Sequence, residues 1–383
     1  MGRRNWVFAL TFALIVSSFS PATAATPECL FGGQVRNISG QKSACMIING
    51  SSVWFSYKKR AENKLTAYEK TKLKAYKEIK NAAAGKSIKN IELKYEISKF
   101  LPAQLRTQYI RQTEQASELY DQFFTRPVVI NNYFLTEKDA EFIKNHPVLK
   151  RDAESFKRWY EAWPKGKEQE HNAGLAAWFF KSGGKLEGHT GVLSASNGSM
   201  AKLRLYSQQV VAHEYFHVVQ DFYKQSQDEI GYEGITEFDN YYPPIFREGS
   251  ANTISTAIAM DSFEDYLLFY QVFLSQNKGI YAPKIFSRIN NLQNTIGVLK
   301  DIEYREKNPD AAEASYSVGG LVFEWLIAEY GFASYKKLVE NQIIGKSFED
   351  NLKTSLGLTL DQLYKASAPH VLAGFAAAKG STR

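Results

Sequence analysis

The segment His213-Glu214-Tyr215-Phe216-His217 sets two histidines four residues apart, with a glutamate directly after the first. On an α-helix, positions i and i+4 lie one turn apart on the same face, so both imidazoles can converge on one metal ion. Glu214 then stands beside that face, next to whatever occupies the open coordination position. The H-E-x-x-H spacing therefore points to metal-assisted hydrolysis, and six histidines in 383 residues rarely produce it by chance.

Two histidines leave such a site short of a ligand, because a catalytic zinc takes three protein ligands and keeps one position for water. The metzincin extension needs Gly three residues after the second histidine and His or Asp six residues after. Gln220 and Tyr223 stand there, which excludes that class. The acidic candidates are Asp221, Glu233, Glu237, Asp239 and Glu248. Asp221 lies one turn past His217 on the same helix and aims above the metal. Glu233, Glu237 and Asp239 fall in a Gly/Asp/Tyr-rich stretch that reads as loop. Glu248 is the strongest candidate, because Pro243-Pro244 marks a helix start just before it. Gly249 beside it allows two helices to approach closely, and Asn252, one turn on, can bond a ligand histidine from behind.

These side chains need rigid elements to aim them. Val211, Tyr215, Val218 and Phe222 form an apolar face at helical spacing, with no Pro or Gly between Leu203 and Lys224 and Ser207 as a possible N-cap. Upstream, Val128–Ile130, Leu175–Phe180 and His189–Ala195 read as strands, with Gly183-Gly184 as a turn. Thr136 caps a short helix, and Asp152–Trp163 forms another that stops at Pro164. Residues 26–57 read as irregular apart from a short strand at Val53–Phe55, and Lys58 to Phe124 reads as helical. Strands first and helices after give an α+β chain. His189 is expected as a solvent-facing turn histidine, while His146, His171 and His370 carry no usable signal.

With H-E-x-x-H and then E-G-x-A on a following helix, the chain resembles the gluzincin zinc peptidases, specifically the peptidase MA-like group with a thermolysin-like catalytic domain. The segment Tyr316-Ser317-Val318-Gly319-Gly320 is similar to that group's Y-x-x-G-small helix, though its apolar neighbours also suit an ordinary core aromatic. The resemblance runs from about Val128 onward and leaves the lysine-rich helices outside it. It implies a zincin domain over 126–383, with a small N-terminal sheet subdomain and a helical C-terminal subdomain. It implies a zinc ion (Zn2+) held by His213, His217 and Glu248, Glu214 as the general base toward water, and Tyr316 as a donor to the oxyanion. A peptide or protein substrate would pair with the strand around His189–Ser194, taken as a sheet edge. The alternatives are a non-catalytic binding or scaffold protein on the same fold, and a zinc amide hydrolase acting on a non-peptide envelope substrate.

Composition places the chain outside the cytosol. Residues 1–24 carry Arg3-Arg4, an apolar run from Trp6 to Val16 and Ala22-Thr23-Ala24, the pattern of a signal peptide cut after Ala24. A secreted or periplasmic location follows, and with it a disulfide between Cys29 and Cys45 closing a small segment at 25–57. The formal charge of +7 falls to +5 when Arg3 and Arg4 are removed. Much of the excess lies in the lysine-rich region 58–125, expected as a solvated helix face with at most weak attraction to an anionic envelope surface. No later segment is long and apolar enough to span a membrane, no nucleic-acid motif is present, and no phosphate loop or G-x-S-x-G elbow offers another chemistry.

Overall fold

The computed structural model describes residues 28–48, 51–57, 60–182, 185–225, 243–276, 283–303, 314–342, 347–378 and 381–382. The expected signal segment, the Gly183-Gly184 turn and the candidate ligands Glu233, Glu237 and Asp239 lie outside the described residues. The fold is mixed α+β, with two small sheets followed by helices.

Strands β1 (Val35–Ile38), β2 (Gln41–Ile48) and β3 (Ser51–Ser56) form an antiparallel meander; β3 contains the short strand expected at Val53–Phe55, and β1 and β2 lie where the sequence reads as irregular. Ser39 and Gly40, at φ 51° and 77°, make the two-residue left-handed turn that a tight hairpin between Ile38 and Gln41 requires. The Cys29–Cys45 disulfide is formed, and both sulfurs pack beside the buried Trp54.

Helix α1 (Ala67–Ala83) is closed at its start by a capping box between Thr66 and Glu69. After it, the helical pattern expected to Phe124, with breaks only at Gly85 and Pro102, gives way to strand β4 (Ile91–Ile97). There Ile91, Leu93, Tyr95 and Ile97 alternate with Glu92, Lys94 and Glu96, so one face is half-buried and the other is wet. Helix α2 (Ala103–Tyr120) then crosses over to β5 (Val128–Thr136), which lies parallel to β4. Thr136 caps the turn after β5, as its sequence context predicts. Helices α3 (Ala140–Asn145) and α4 (Ala153–Glu161) precede β6 (Asn172–Ser182) and β7 (Lys185–Ser194). The second sheet has the order β4-β5-β7-β6, and its last pair is antiparallel. Strand β7 therefore lies inside the sheet with both ladders already satisfied, and the edge near the site is β6.

Helices fill the rest of the described chain: α5 (Val210–Gln225), α6 (Pro244–Ala259), α7 (Phe263–Gln276), α8 (Pro283–Phe286), α9 (Leu292–Asp301), a π turn (Ser315–Gly319), α10 (Gly320–Tyr330), α11 (Phe332–Glu340), α12 (Phe348–Leu356) and α13 (Leu360–Ala377). Strand β8 (Ser381–Thr382) returns to pair with β3. One hydrophobic core runs from the first sheet and α1 through α5 and α6 to α13. Among the described residues no helix is long and apolar enough to cross a membrane.

The lysine-rich region is not wholly a solvated face. Lys72 on α1 is fully buried, and its Nζ donates to both carboxylate oxygens of Glu324 on α10 at 2.6 and 2.8 Å. Tyr266 donates to the same carboxylate at 2.6 Å and His370 Nε2 approaches it at 2.7 Å, while the ammonium sits 3.3 Å from the Tyr270 ring centroid. Burial pulls Lys72 down to about 8 against the pull of Glu324. Burial raises Glu324, but Lys72 and His370 hold it below the usual carboxylate range. Near neutral pH the pair is therefore an ion pair, and burial favours the uncharged form of His370. Removing one partner of such a pair strands the other charge, at a cost of about 3–5 kcal/mol. Lys72→Met should lose that much stability in chemical denaturation, and Lys72→Met combined with Glu324→Gln should regain most of it.

Candidate metal centre

Helix α5 carries the histidines and is pinned on several sides. Val211, Tyr215, Val218 and Phe222 are buried as their spacing predicts. From α2, Tyr120 donates to the Ala212 carbonyl at 2.9 Å and stacks edge-on against Tyr215, while Gln112 reaches the Gln208 carbonyl at 2.6 Å. The helix starts at Val210, with a 3-10 turn at Leu205–Ser207 ahead of it, so Ser207 does not cap it.

Helix α6 starts at Pro244 with Pro243 in the capping position, as the double proline predicts. Gly249 allows the close helix approach expected of it, and its neighbour is the π turn. A Cβ on Gly249 would stand 2.5 Å from the Cα of Gly319. The Thr253 hydroxyl, on the same face, lies 2.9 Å from the Gly249 carbonyl and 2.7 Å from that of Gly320.

These contacts bring three ligand atoms together. His213 Nε2 and His217 Nε2 are 3.2 Å apart, and each lies 3.3 Å from Glu248 Oε2. Among the described residues His213, His217 and Glu248 form the one group suited to a metal ion, and Asp221 is not part of it. A tetrahedral ion with bonds of about 2.0–2.1 Å separates its ligand atoms by roughly 3.3–3.4 Å, so the triangle matches one face of such a site. Glu248 Oε2 is buried and forms no well-directed hydrogen bond, as a ligand oxygen waiting for a cation would be. The donor set of two neutral nitrogens and one carboxylate fits zinc and other borderline divalent metals.

The electrostatics follow from burial and crowding. Burial raises the Glu248 carboxyl, yet the adjacent His217 and His213 rings hold it well below the usual range. Burial opposes charge on His217, but Glu248 outweighs it and raises the ring above its ordinary value. Without a metal, a proton is thus drawn to the place between ring and carboxylate. Burial raises Glu214, with the two histidines pulling the other way. A carboxylate whose proton affinity is raised is a better base.

Glu214 lies against strand β6. A Cβ on Gly174 would come within 1.9 Å of Glu214 Oε1, so that edge strand touches the carboxylate through a bare glycine. Tyr316 is brought to the site as well. Its ring stacks on His213 at 5.6 Å between centroids, and it stays partly exposed among buried neighbours of the π turn. Such turns, with one extra residue per turn, recur at functional sites.

The second tier differs from expectation. Asn252 bonds neither ligand histidine. Its Nδ2 donates to the Tyr316 carbonyl at 2.9 Å and its Oδ1 accepts from Gln209 at 3.2 Å, so it holds the π turn instead. The residue behind His217 is Gln220, whose Oε1 lies 2.8 Å from His217 Nδ1. In the sequence Gln220 served only to exclude a metzincin.

The strand expected to receive substrate, His189–Ser194, is interior, as described above, and His189 is buried rather than solvent-facing. Its Nδ1 meets the Tyr133 hydroxyl at 2.9 Å, and burial pulls the ring down to about 4. His370 also proves to be a core group, bound to Glu324. An unfolded histidine titrates near 6.5, so between pH 6.5 and 4 the unfolded chain takes up a proton that folded His189 refuses. Stability is therefore intact above pH 6.5 and is lost as pH falls toward 4. His189→Gln should flatten that loss in denaturation curves recorded across this window. Compared with family models, curated proteins and solved structures, the chain has no match.

Proposed function

We propose that the chain is an exported zinc metallopeptidase of gluzincin type, with a zincin-like catalytic domain and peptide bonds as its substrate. The observation that carries this reading is the triangle of His213 Nε2, His217 Nε2 and Glu248 Oε2, with Glu214 on the same helix between the histidines. A zinc ion held by these three side chains supplies Lewis acidity, lowering the pKa of water toward about 7 and polarising a carbonyl.

The chain's own residues supply the remaining steps. Glu214 takes a proton from the attacking water on its carboxylate and hands it to the nitrogen of the leaving amine. Its contact with Gly174 puts that proton transfer directly beside the sheet edge. An extended peptide adding to β6 by main-chain pairing would therefore run past the carboxylate. The Tyr316 hydroxyl, carried by the ring stacked on His213, donates to the oxyanion, an interaction whose loss costs roughly 3 kcal/mol in comparable sites. Export agrees with the formed Cys29–Cys45 disulfide.

Metal analysis of the purified chain should find about one zinc, lost in both His217→Ala and Glu248→Ala. Glu214→Gln should keep the metal and lose roughly 10²- to 10⁴-fold in cleavage of a peptide library. Gly174→Ala should also keep the metal while losing turnover, because its methyl displaces the Glu214 carboxylate. An unmutated chain that takes up no zinc refutes the mechanism. A zinc-loaded chain that cuts cell-wall amides but no peptide moves the substrate class to the non-peptide alternative.

A further inference from the structure

We propose that Gln220 is a positioning residue that fixes the tautomer of His217 and ties it to the helix bearing the third ligand. The inference rests on reading His213, His217 and Glu248 as a metal site. The two ligand histidines are held differently. His213 Nδ1 has no hydrogen-bond partner among the described residues, and that ring is steadied by its stack on Tyr316. His217 Nδ1 faces Gln220 Oε1 at 2.8 Å.

Which end of an amide faces a ring follows here from its other contacts. Gln220 Nε2 lies 3.1 Å from the Arg247 carbonyl and 2.9 Å from Ser250 Oγ. A backbone carbonyl only accepts, so the amide nitrogen must face Arg247, and Oε1 is left facing His217. An amide oxygen also only accepts, so His217 must carry its proton on Nδ1. Its Nε2, which faces His213 and Glu248, is then the nitrogen offered to a metal. The Arg247 carbonyl belongs to the peptide group that joins Arg247 to Glu248. One side chain thus links the proton position on one ligand to the main chain of another. Gln220 is itself 3% exposed, so water does not readily replace it in either contact.

A partner of this kind raises ligand basicity and fixes ring orientation, and its loss typically costs 10- to 100-fold in metal affinity. A group that merely packed would lower the stability of the metal-free chain without selectively weakening metal uptake. A carboxylate at position 220 keeps an acceptor for Nδ1–H but cannot donate to the Arg247 carbonyl, whereas leucine keeps neither.

The experiment measures zinc affinity by competition with a chelator for the unmutated chain, Gln220→Leu and Gln220→Glu, alongside thermal unfolding of each metal-free form. The expected result is a 10- to 100-fold loss in Gln220→Leu, with Gln220→Glu regaining most of it, while the metal-free melting temperatures of the two variants stay close to each other. Zinc affinity in Gln220→Leu within twofold of the unmutated chain overturns the proposal. So does a Gln220→Glu variant that binds no better than Gln220→Leu. If the unmutated chain takes up no zinc, the metal-site reading fails first, before any variant is compared.

Discussion

Three electron-rich atoms held 3.2 to 3.3 Å apart, inside a protein and away from bulk water, repel one another unless a cation lies between them. The rest of the structure reads as the means of forcing that arrangement. Two of the atoms come from one helix, where a four-residue spacing supplies the convergence. The third comes from α6, which packs both on α5 and on the π turn. With Gly249 against Gly319 that contact has no room for a methyl group on either side. A change there would move Glu248 and Tyr316 together, because both are carried by the elements that meet at that point.

A second polar assembly lies in the helical core. Lys72, Tyr266 and His370, from α1, α7 and α13, all reach the carboxylate of Glu324 on α10. Its geometry is satisfied, but its energetic return over an apolar core is small in general, since desolvation offsets most of the attraction. The cluster does tie four helices to one point, since side chains of α1, α7 and α13 all meet one carboxylate of α10. Tyr270, under the Lys72 ammonium, also packs close to Gly320 at the head of α10, so this assembly and the π turn share a helix end.

Much of the candidate site could be read from the sequence because its signals are local. H-E-x-x-H carries its own spacing, and the double proline before Glu248 fixes where α6 begins. The features that escaped depend on partners far along the chain. Lys72 looks like any lysine in a run of lysines, and only Glu324, 252 positions away, distinguishes it. Gln220 follows His217 by one turn, but its meaning comes from the Arg247 carbonyl on another helix. Asn252 lies near the site as expected, yet its bonds go to Gln209 and the π turn rather than to a ligand histidine. Strand β4 was legible in its strict alternation and was overridden by the helical pattern on both sides. The internal place of β7, and so the burial of His189, depends on strand order, which the alternation within one strand does not encode.

The pairing of β8 with β3 bears on how the chain reaches its folded state. The first sheet needs a strand that is translated more than three hundred residues later, and the carboxylate that neutralises Lys72 also arrives late. The β1-β2-β3 meander pairs within one short stretch, whereas β8 and Glu324 join partners placed hundreds of residues before them. Contacts of such long range close slowly, because loop entropy is lost before they form.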